Sequence, residues 1–363
     1  MAPKTLRVGL IGAGRNMRDR HIPGLRALSA VEIVAVCNRR PQSTAAVAAQ
    51  LNIPRTYEHW KDLVADPGID AIVIGTWPYL HCPITLAALE TGKHVLTEAR
   101  MALNAAEAHR MLDNARRYPD LVTQIVPSPY GLRGHQVMRD LLDSGYLGEL
   151  REVEVFSLTD ALADPASPLS WRQDAALSGY NTLSLGILHE TVLRWLPPPV
   201  QVMAQVHAFI PHRIDPESGV DRLVGTPDSV QVISVLRGGG RAVYRVSGVV
   251  RYGQCQGVRL YGTEGALYYD FASDRIFGTN RRSRVDKDFM EEISIPEEKA
   301  GGWRVEAEFV EAIRSGTPVR FTDFATGVSY MEFTEAVARS AEAGEAITLP
   351  FSEFADSNQD AAD

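Results

Sequence analysis

The chain is poor in the features that mark several classes of protein. Its 363 residues include only three cysteines, Cys37, Cys82 and Cys255, with no CxxC pair and no histidine–cysteine cluster at metal-ligand spacing. Scattered cysteines are typical of buried thiols in a reducing compartment and predict neither a disulfide framework nor a metal site. No apolar run is long enough to span a bilayer, and no secretory-type segment precedes the first strand pattern. We therefore expect a cytoplasmic protein with no membrane partner.

Basic residues are also too few for a protein that binds nucleic acid. The chain has 37 lysine and arginine residues against 45 aspartate and glutamate residues, a formal net charge of −8. Phosphate backbones and anionic lipid surfaces require a basic face, so we expect neither as a partner. Hydrophobic residues make up 45% and charged residues 23%, as in ordinary globular proteins, and the length allows two domains with separate cores.

The first third of the chain alternates between patterns typical of strands and of helices. Short apolar strand patterns occupy residues 6–12, 31–37, 70–75, 94–97 and 121–126, and helical patterns occupy 44–51, 83–90 and 105–117. The segment at 70–75 is apolar almost throughout, as expected for a strand covered on both faces. Strands that alternate with helices at this spacing predict right-handed βαβ units and a doubly wound parallel sheet.

The pattern changes after residue 148 to alternating polar and apolar residues. Alternation at 152–156, 229–235, 241–246, 258–261 and 266–269 predicts strands, and glycine-rich turns at 238–240 and 262–265 predict two hairpins. Helical patterns follow at 304–315 and 325–343. We expect an α/β domain at residues 1–126 and an α+β domain with a large, mostly antiparallel open sheet at 127–351. The last helix would pack back on the first domain, and residues 352–363 would form a flexible acidic tail.

The strongest motif is a GxG sequence, Gly12 and Gly14, which ends the first strand pattern and opens a helix. Gly12 permits a tight turn, and Gly14 allows the backbone to approach a pyrophosphate on the helix N-terminus. Met17 stands where a GxGxxG fingerprint has its third glycine. The motif predicts a Rossmann-type dinucleotide site lined by these glycines together with Arg15, Asn16 and Met17. The alternative is a purely structural strand–turn–helix.

The end of the second strand pattern bears on the choice between NAD and NADP. NAD-specific sites usually place an aspartate or glutamate there, which binds the ribose diol. This chain has Asn38 and Arg39 instead. Asn38 carries no charge that would repel a 2′-phosphate, and Arg39 can pair with that phosphate or stack on adenine. The sequence favours NADP over NAD; alternatively, Arg39 and Arg40 are solvated charges at the start of a helix.

Further segments resemble the Gfo/Idh/MocA family of sugar and cyclitol oxidoreductases, and the resemblance extends over nearly the whole chain. Residues 71–81 are similar to the family's TPxxxH segment, 87–98 and 102–107 to the segments that follow it, and 141–149, 261–265 and 309–316 to later motifs. The family combines a Rossmann domain with a C-terminal open sheet. The resemblance implies a cofactor border formed by Thr76, Trp77, Pro78, His81, Glu98, Ala99, Trp171 and Arg172.

The first of two signature motifs of that family is altered. Its Glu-Lys-Pro reads Glu-Ala-Arg here, at Glu98, Ala99 and Arg100. The family's lysine lies beside the nicotinamide and the reacting hydroxyl, so Ala99 removes a cation from that place. Arg100 is one position along and could reach back, but a guanidinium cannot donate a proton near neutral pH.

The second signature motif, DxGxHxxD, is altered as well. Aligned on Gly186, the family histidine falls on Leu188 and the aspartates fall on Ser184 and Thr191. His189 is displaced from the family position by one residue, which on a helix is a rotation of about 100°. The resemblance therefore implies the fold, whereas both motifs that carry the chemistry of the family are altered in this chain.

Three residues are candidates for the chemistry itself, because hydride transfer from a secondary alcohol needs a base near the hydroxyl. His189 is the natural acid–base group, since its unperturbed pKa lies near working pH; a histidine packed in the core is the alternative. Tyr180 replaces a glycine in a turn that faces the cofactor in the family, which implies contact with substrate. Arg100 is the third candidate.

Three functions remain open at this point. The first is an NAD(P)-dependent oxidoreductase acting on a sugar, cyclitol or related polyol. The second is a redox-neutral glycosidase or lyase that oxidises, eliminates and re-reduces on a tightly held NAD, because such relatives also lack the motif lysine. The third is a non-catalytic nucleotide-binding protein. The resemblance also implies a homodimer or homotetramer assembled across the open sheet.

Overall fold

The computed structural model describes residues 4–281 and 290–354, which divide into two compact units. The first unit comprises the described residues up to Pro127 together with Arg304–Val328. The second comprises Ser128–Trp303 and the described residues from Ser329 onward. The predicted boundary at 126/127 omits the return of residues 304–328 to the first unit. The predicted acidic tail lies, from residue 355 on, outside the described residues.

The first unit is built on a six-stranded parallel sheet with strand order β3-β2-β1-β4-β5-β6. Its strands are β1 (Leu6–Ile11), β2 (Val31–Cys37), β3 (Arg55–Thr56), β4 (Ala71–Ile74), β5 (His94–Thr97) and β6 (Thr123–Ile125). Its helices are α1 (Ile22–Arg26), α2 (Pro41–Leu51), α3 (Trp60–Ala65), α4 (His81–Glu90) and α5 (Ala105–Arg117). The predicted doubly wound parallel sheet is confirmed.

Local sequence explains these elements well. Every residue of β4 is buried, which is why its apolar run lacks alternation. Asn104 caps α5 by accepting the backbone N–H of Glu107 at 2.8 Å, and Arg116 and Arg117 lie in its last turn, where the helix dipole favours cations. The helices cover a core in which Ile72, Leu89 and Val95 are fully buried.

The second unit contains a nine-stranded sheet of order β16-β15-β14-β13-β7-β12-β11-β8-β17. The strands are β7 (Leu150–Leu158), β8 (Pro199–His207), β11 (Ser229–Leu236), β12 (Arg241–Ser247), β13 (Cys255–Gly262), β14 (Gly265–Asp270), β15 (Arg275–Asn280), β16 (Glu291–Ile293) and β17 (Ile347–Thr348), while β9 (His212–Ile214) and β10 (Asp221–Leu223) form a separate pair. Only β7 and β12 pair in parallel within the described sheet, which confirms a mostly antiparallel architecture.

The remaining helices are α6 (His135–Asp143), α7 (Ala175–Ser178), α8 (Leu185–Leu193), α9 (Val305–Ser315) and α10 (Phe324–Ala343). All residues of α9 belong to the first unit, whereas α10 begins in the first unit and continues in the second. Within the described residues, no helix is both long and apolar enough to cross a membrane.

Candidate functional site

The loop after β1 lies where the strand order reverses, since β1 is flanked by β2 and β4. Crevices at such reversal points bind nucleotides in open α/β sheets. Gly12 has φ +85°, and a Cβ there would lie 2.7 Å from the carbonyl carbon of Gly75, in the loop after β4. A Cβ on Gly75 would lie 2.5 Å from the Gly12 oxygen. The two loops therefore touch backbone to backbone, which glycine at both positions allows.

Gly14 and the helix after it leave space for an anion. A Cβ on Gly14 would meet no atom within 4 Å, so this backbone faces open space. The first N–H groups of a helix have no intrahelical partner and bind anions well. The predicted residues Arg15 and Asn16 are exposed in this first turn. Met17 is only 1% exposed, so its side chain packs in the core beside Gly75 and does not line the cofactor surface as predicted.

A cavity of about 510 Å³ opens beside this loop. Its lining consists of Ile11, Gly12, Ala13, Gly14, Cys37, Asn38, Arg39, Ser43, Glu58, His59, Trp60, Gly75, Thr76, Trp77, Tyr79 and Leu80. The Arg39 guanidinium lies 5.1 Å from the centre of the Trp77 ring. The walls come from the ends of β1, β2 and β4, where the adenosine half of a dinucleotide binds in this type of sheet. Sequence reasoning missed Glu58, His59 and Trp60, which follow a strand of only two residues.

Asn38 is a structural link between β2 and the glycine loop. Its Oδ1 accepts the backbone N–H of Ala13 at 2.7 Å, and its Nδ2 donates to the Ser43 carbonyl at 3.2 Å. Its own backbone N–H donates to the Thr44 hydroxyl at 2.9 Å. The predicted cofactor residue Asn38 thus shapes the cavity through the backbone, and it leaves the end of β2 without a carboxylate.

His81 plays a structural part that differs from the predicted cofactor contact. The ring is fully buried, with Nδ1 2.8 Å from the Arg100 carbonyl oxygen and Nε2 3.0 Å from the Thr76 carbonyl oxygen. Burial lowers the pKa of His81. The ring therefore ties the loop after β4 to the segment after β5. Of its predicted neighbours, Thr76 and Trp77 line the cavity, while Pro78 is buried.

Glu98 is the first residue after β5 and belongs to a charged cluster. Its Oε1 accepts from Nδ2 of Asn16 and from Nε2 of His21, the latter at 3.0 Å. Nδ1 of His21 is 2.6 Å from Oε1 of Glu306, near the start of α9. Sequence reasoning missed His21 and Glu306 as partners, because they are 285 positions apart in the chain.

The carboxylates decide the charge of the buried His21 ring. Burial by itself lowers the pKa of His21, but the hydrogen bonds and charges of Glu306 and Glu98 outweigh it and raise the pKa to about 9. Burial would raise the pKa of Glu98, yet the bond and charge from His21 outweigh that effect and lower it. Near neutral pH the ring is therefore an imidazolium that donates to both carboxylates.

The rest of the altered Glu-Ala-Arg segment offers no acid–base group. Ala99 has no polar side chain, and Arg100 is only 7% exposed. A guanidinium remains protonated at any working pH, so Arg100 can supply charge but cannot exchange a proton. A catalytic role of Arg100 stays a prediction, and it could only be electrostatic.

The second unit contains the other predicted contacts. Trp171 and Arg172 lie in a short 3₁₀ turn, Trp171–Gln173, where the Arg172 guanidinium stacks 4.3 Å from the centre of the Trp171 ring. Tyr180 follows α7 and is 43% exposed. Its neighbour Asn181 is buried, and its Nδ2 donates to the Ser178 carbonyl at 2.6 Å.

His189 lies in the core of the second unit. The ring is 0% exposed, its Nδ1 is hydrogen-bonded to the Tyr244 hydroxyl at 2.8 Å, and it stacks on Phe333 with ring centres 3.7 Å apart. Burial lowers its pKa to about 3. A fully enclosed ring cannot reach a substrate, and an imidazole with so low a pKa is a weak base, so the structure favours the core alternative over the predicted acid–base role.

Of the two positions that correspond to family aspartates, Ser184 and Thr191, the second carries a hydroxyl with structural partners. The Thr191 hydroxyl donates to the Ile187 carbonyl at 2.9 Å and lies 2.8 Å from the Ser128 hydroxyl oxygen, with which it is also hydrogen-bonded. Leu188, at the family histidine position, is fully buried. The altered motif has thus become part of the packing of α8.

Comparison with known proteins supports the interpretation that the chain has a Rossmann domain followed by a second domain. Residues 6–125 match a family model described as "Oxidoreductase family, NAD-binding Rossmann fold", and residues 135–268 match the GFO/IDH/MocA C-terminal domain. The chain is similar to an uncharacterised oxidoreductase, ORF334, of Rhizobium meliloti, with 27% identity over 348 residues that cover 93% of this chain and 98% of that protein.

Two further similarities concern proteins with named activities. A dTDP-3,4-didehydro-2,6-dideoxy-α-D-glucose 3-reductase of Saccharopolyspora spinosa is 29% identical over 320 residues, covering 87% of this chain and 90% of that protein. The structure of a levoglucosan dehydrogenase in complex with NADH and L-sorbose superposes with a TM-score of 0.86 at 22% identity, over 95% of this chain and 99% of that chain. The latter likeness establishes a common fold.

Proposed function

The chain belongs to the Gfo/Idh/MocA family of oxidoreductases, and from that premise we propose that it transfers a hydride between a nicotinamide dinucleotide and a secondary alcohol or ketone of a sugar, cyclitol or related polyol. The observation that carries the proposal is the glycine loop, where Gly12 contacts the Gly75 loop and Gly14 faces open space. The names of the dTDP-sugar 3-reductase and the levoglucosan dehydrogenase support a carbohydrate substrate.

The test begins with calorimetric titration of NADH and NADPH into the purified protein. A panel of keto-sugars and sugar alcohols then follows, with nicotinamide absorbance as the readout. We expect dinucleotide binding and a net change in absorbance with at least one carbohydrate. Absence of affinity for either dinucleotide would contradict the proposal. Turnover without net absorbance change would indicate a redox-neutral reaction, which the reductase and dehydrogenase names of the similar proteins do not favour.

We infer that the cofactor is NADP rather than NAD. The side chain that ends β2 is the neutral Asn38, whose amide is bonded to backbone groups. Arg39 and Ser43 line the adjacent cavity, where a guanidinium and a hydroxyl can bind a 2′-phosphate. Glu58 lines the same cavity and is the acidic group that would have to bind the ribose diol if NAD were preferred.

We propose Tyr180 as the residue that exchanges a proton with the substrate. Among the three catalytic candidates its side chain is 43% exposed, whereas Arg100 is 7% and His189 0% exposed. Tyr180→Phe removes only the hydroxyl and should lower kcat by ~10²–10⁴, with unchanged cofactor affinity. Tyr252→Phe, at a fully exposed tyrosine, is the matched control. An unchanged kcat in Tyr180→Phe would exclude this role.

We further propose that a second copy of the chain covers the exposed face of the nine-stranded sheet. Met203, Ile233 and Val243 are 49%, 61% and 47% exposed and stand opposite one another on β8, β11 and β12. Such an apolar row favours self-association. Ile233→Glu should shift the mass measured by light scattering toward the monomer, whereas Ala46→Glu, on exposed α2, should not. A monomeric wild-type protein would contradict the proposal.

A further inference from the structure

The charged cluster at the end of β5 consists of Glu98, His21 and Glu306, although one charged residue would be enough for a single cofactor contact. His21 is fully buried, and the side chain of Glu306 is 4% exposed. A Cβ on Gly24, one turn after His21 in the helix, would lie 2.6 Å from Oε2 of Glu306. Gly24 therefore leaves the space that the Glu306 carboxylate occupies. His21 and Glu306, which are far apart in the sequence, thus form one buried ion pair.

The place of this cluster in the sheet connects it to the dinucleotide. The cavity beside the glycine loop lies on the β2 side of the strand reversal, where the adenosine half would bind. β5 lies on the opposite side, beyond β4, so Glu98 stands where the second nucleotide would extend. Asn16, which donates to Glu98, follows Gly14 by only two residues. The group next to the pyrophosphate on this side is a ribose with a vicinal diol.

Glu98 retains an acceptor for such a diol. Both contacts of its carboxylate, with His21 and Asn16, are made by Oε1. Within the described chain Oε2 has no hydrogen-bond partner, and the side chain is 16% exposed. An ionised carboxylate is the strongest acceptor that a side chain can offer to a hydroxyl.

We propose that His21 is a positioning residue for the cofactor: its imidazolium, anchored on Glu306 in the space left by Gly24, holds Glu98 ionised and oriented so that Oε2 accepts a hydroxyl of the ribose on the nicotinamide side. This inference rests on the proposed function, since it assumes that a nicotinamide dinucleotide binds. A neutral ring would donate to only one of the two carboxylates. The other carboxylate would then face a lone pair, and the orientation of Glu98 would be lost.

The charged groups around the ring allow a prediction with a definite sign. The groups that face His21 are Glu98 and Glu306, and the titratable group that also acts on Glu98 is His81, whose pKa is lowered by burial. His81 is therefore neutral throughout the alkaline range. As the pH rises through about 9, His21 loses its proton and the cofactor affinity should fall.

The experiment measures the Kd of the full-length protein for NADH and NADPH between pH 6 and pH 10.5, with circular dichroism at each pH as the folding control. In the wild type the affinity should be constant at low pH and weaken with a midpoint near 9. His21→Gln should bind about tenfold more weakly at neutral pH and lose the pH dependence. A flat wild-type profile with the fold intact would overturn the inference.

Two variants disturb the anchor without touching His21 or Glu98. Glu306→Gln keeps the shape of the side chain and removes its charge, and Gly24→Ala displaces the carboxylate while improving helix propensity. Both should lower the midpoint by about one pH unit or more. Glu107→Gln is the matched control, because Glu107 bonds to the backbone N–H of Leu103 and not to the cluster. Midpoints equal to that of the wild type in both folded anchor variants would overturn the inference.

The outcomes separate this inference from the proposed function. Wild-type protein that binds neither dinucleotide at neutral pH would contradict the proposed function, and the inference would fall with it. Wild-type binding without the pH dependence would overturn only the role of His21. The wild-type profile alone decides this point, even if a variant does not fold.

Discussion

A substitution of His189 tests whether this residue stabilises the core of the second unit or takes part in the reaction. The ring is enclosed, stacked on Phe333 at 3.7 Å and hydrogen-bonded to Tyr244 at 2.8 Å. Removing a buried aromatic ring costs about 3 kcal/mol, at the low end for large-to-small substitutions because imidazole is small. Leaving the buried Tyr244 hydroxyl without a partner adds about 1–2 kcal/mol. Loss of the unpaired Nε2 of His189 returns about 1 kcal/mol.

His189→Ala should therefore destabilise the protein by about 3–4 kcal/mol and lower Tm by roughly 4–5 °C, since unfolding 363 residues has an entropy of about 0.76 kcal/mol/K. The assay is thermal unfolding by circular dichroism, with kcat measured well below Tm on the carbohydrate that the substrate panel identifies. We expect kcat of the folded variant to change less than tenfold, because the ring is fully enclosed in the core.

A double variant provides the control. His189→Phe combined with Tyr244→Phe removes both polar partners and keeps an aromatic ring at each position beside Phe333, so its stability should lie within about 2 kcal/mol of the wild type. This variant should also remain active. A folded double variant with kcat reduced by a hundredfold or more would refute the argument and return His189 to the mechanism.

Three further predictions follow from the first unit. Gly12→Ala should weaken dinucleotide binding about a hundredfold in calorimetry, because its Cβ would clash with the Gly75 backbone. The control is Gly92→Ala, at a glycine with φ +74° whose Cβ would have no atom within 4 Å, and it should leave the affinity unchanged. Equal effects of the two substitutions would contradict the reasoning. Arg39→Ala should raise the Kd for NADPH about tenfold or more while that for NADH stays nearly constant, and an equal effect on both would exclude a 2′-phosphate contact. Because folding raises the pKa of His21 from 6.5 to about 9, its stabilisation of about 3 kcal/mol is fully present below pH 6.5 and is lost as the pH rises through 9. Denaturant midpoints that stay constant from pH 6 to 10 would contradict that sign.

The fold of the first unit could be predicted almost element by element. The patterns at 31–37, 94–97 and 105–117 coincide with β2, β5 and α5, because each parallel strand and its covering helix are specified by short-range apolar periodicity. The hairpins β11–β12 and β13–β14 were predictable for the same reason, as glycine-rich turns mark them. The strands β8, β9 and β10 were missed. β8 pairs with β11, across an intervening segment of the chain, whereas β9 and β10 have three residues each, too few to show an alternating pattern.

The candidate site was only partly predictable. The glycine loop and the cavity residues Asn38, Arg39, Thr76 and Trp77 follow strand ends, and the carboxyl ends of parallel strands meet at one edge. The cluster around Glu98 could not be predicted, because His21, which is bonded to Glu98, and Glu306, which is bonded to His21, come from opposite ends of the chain.

The sequence by itself determined where the glycine loop lies and that the family's lysine is replaced by Ala99. Glycine spacing, strand ends and the identity of one motif residue can all be read from a short stretch of sequence. Burial was decided only by the tertiary structure. The fold placed His189 against Phe333, where burial lowers its pKa, and placed His21 between two carboxylates, which raise its pKa. Of two histidines with the same unperturbed pKa, His189 is thus neutral and His21 positively charged near neutral pH, because the free energy of an ionised ring depends on the groups that surround it.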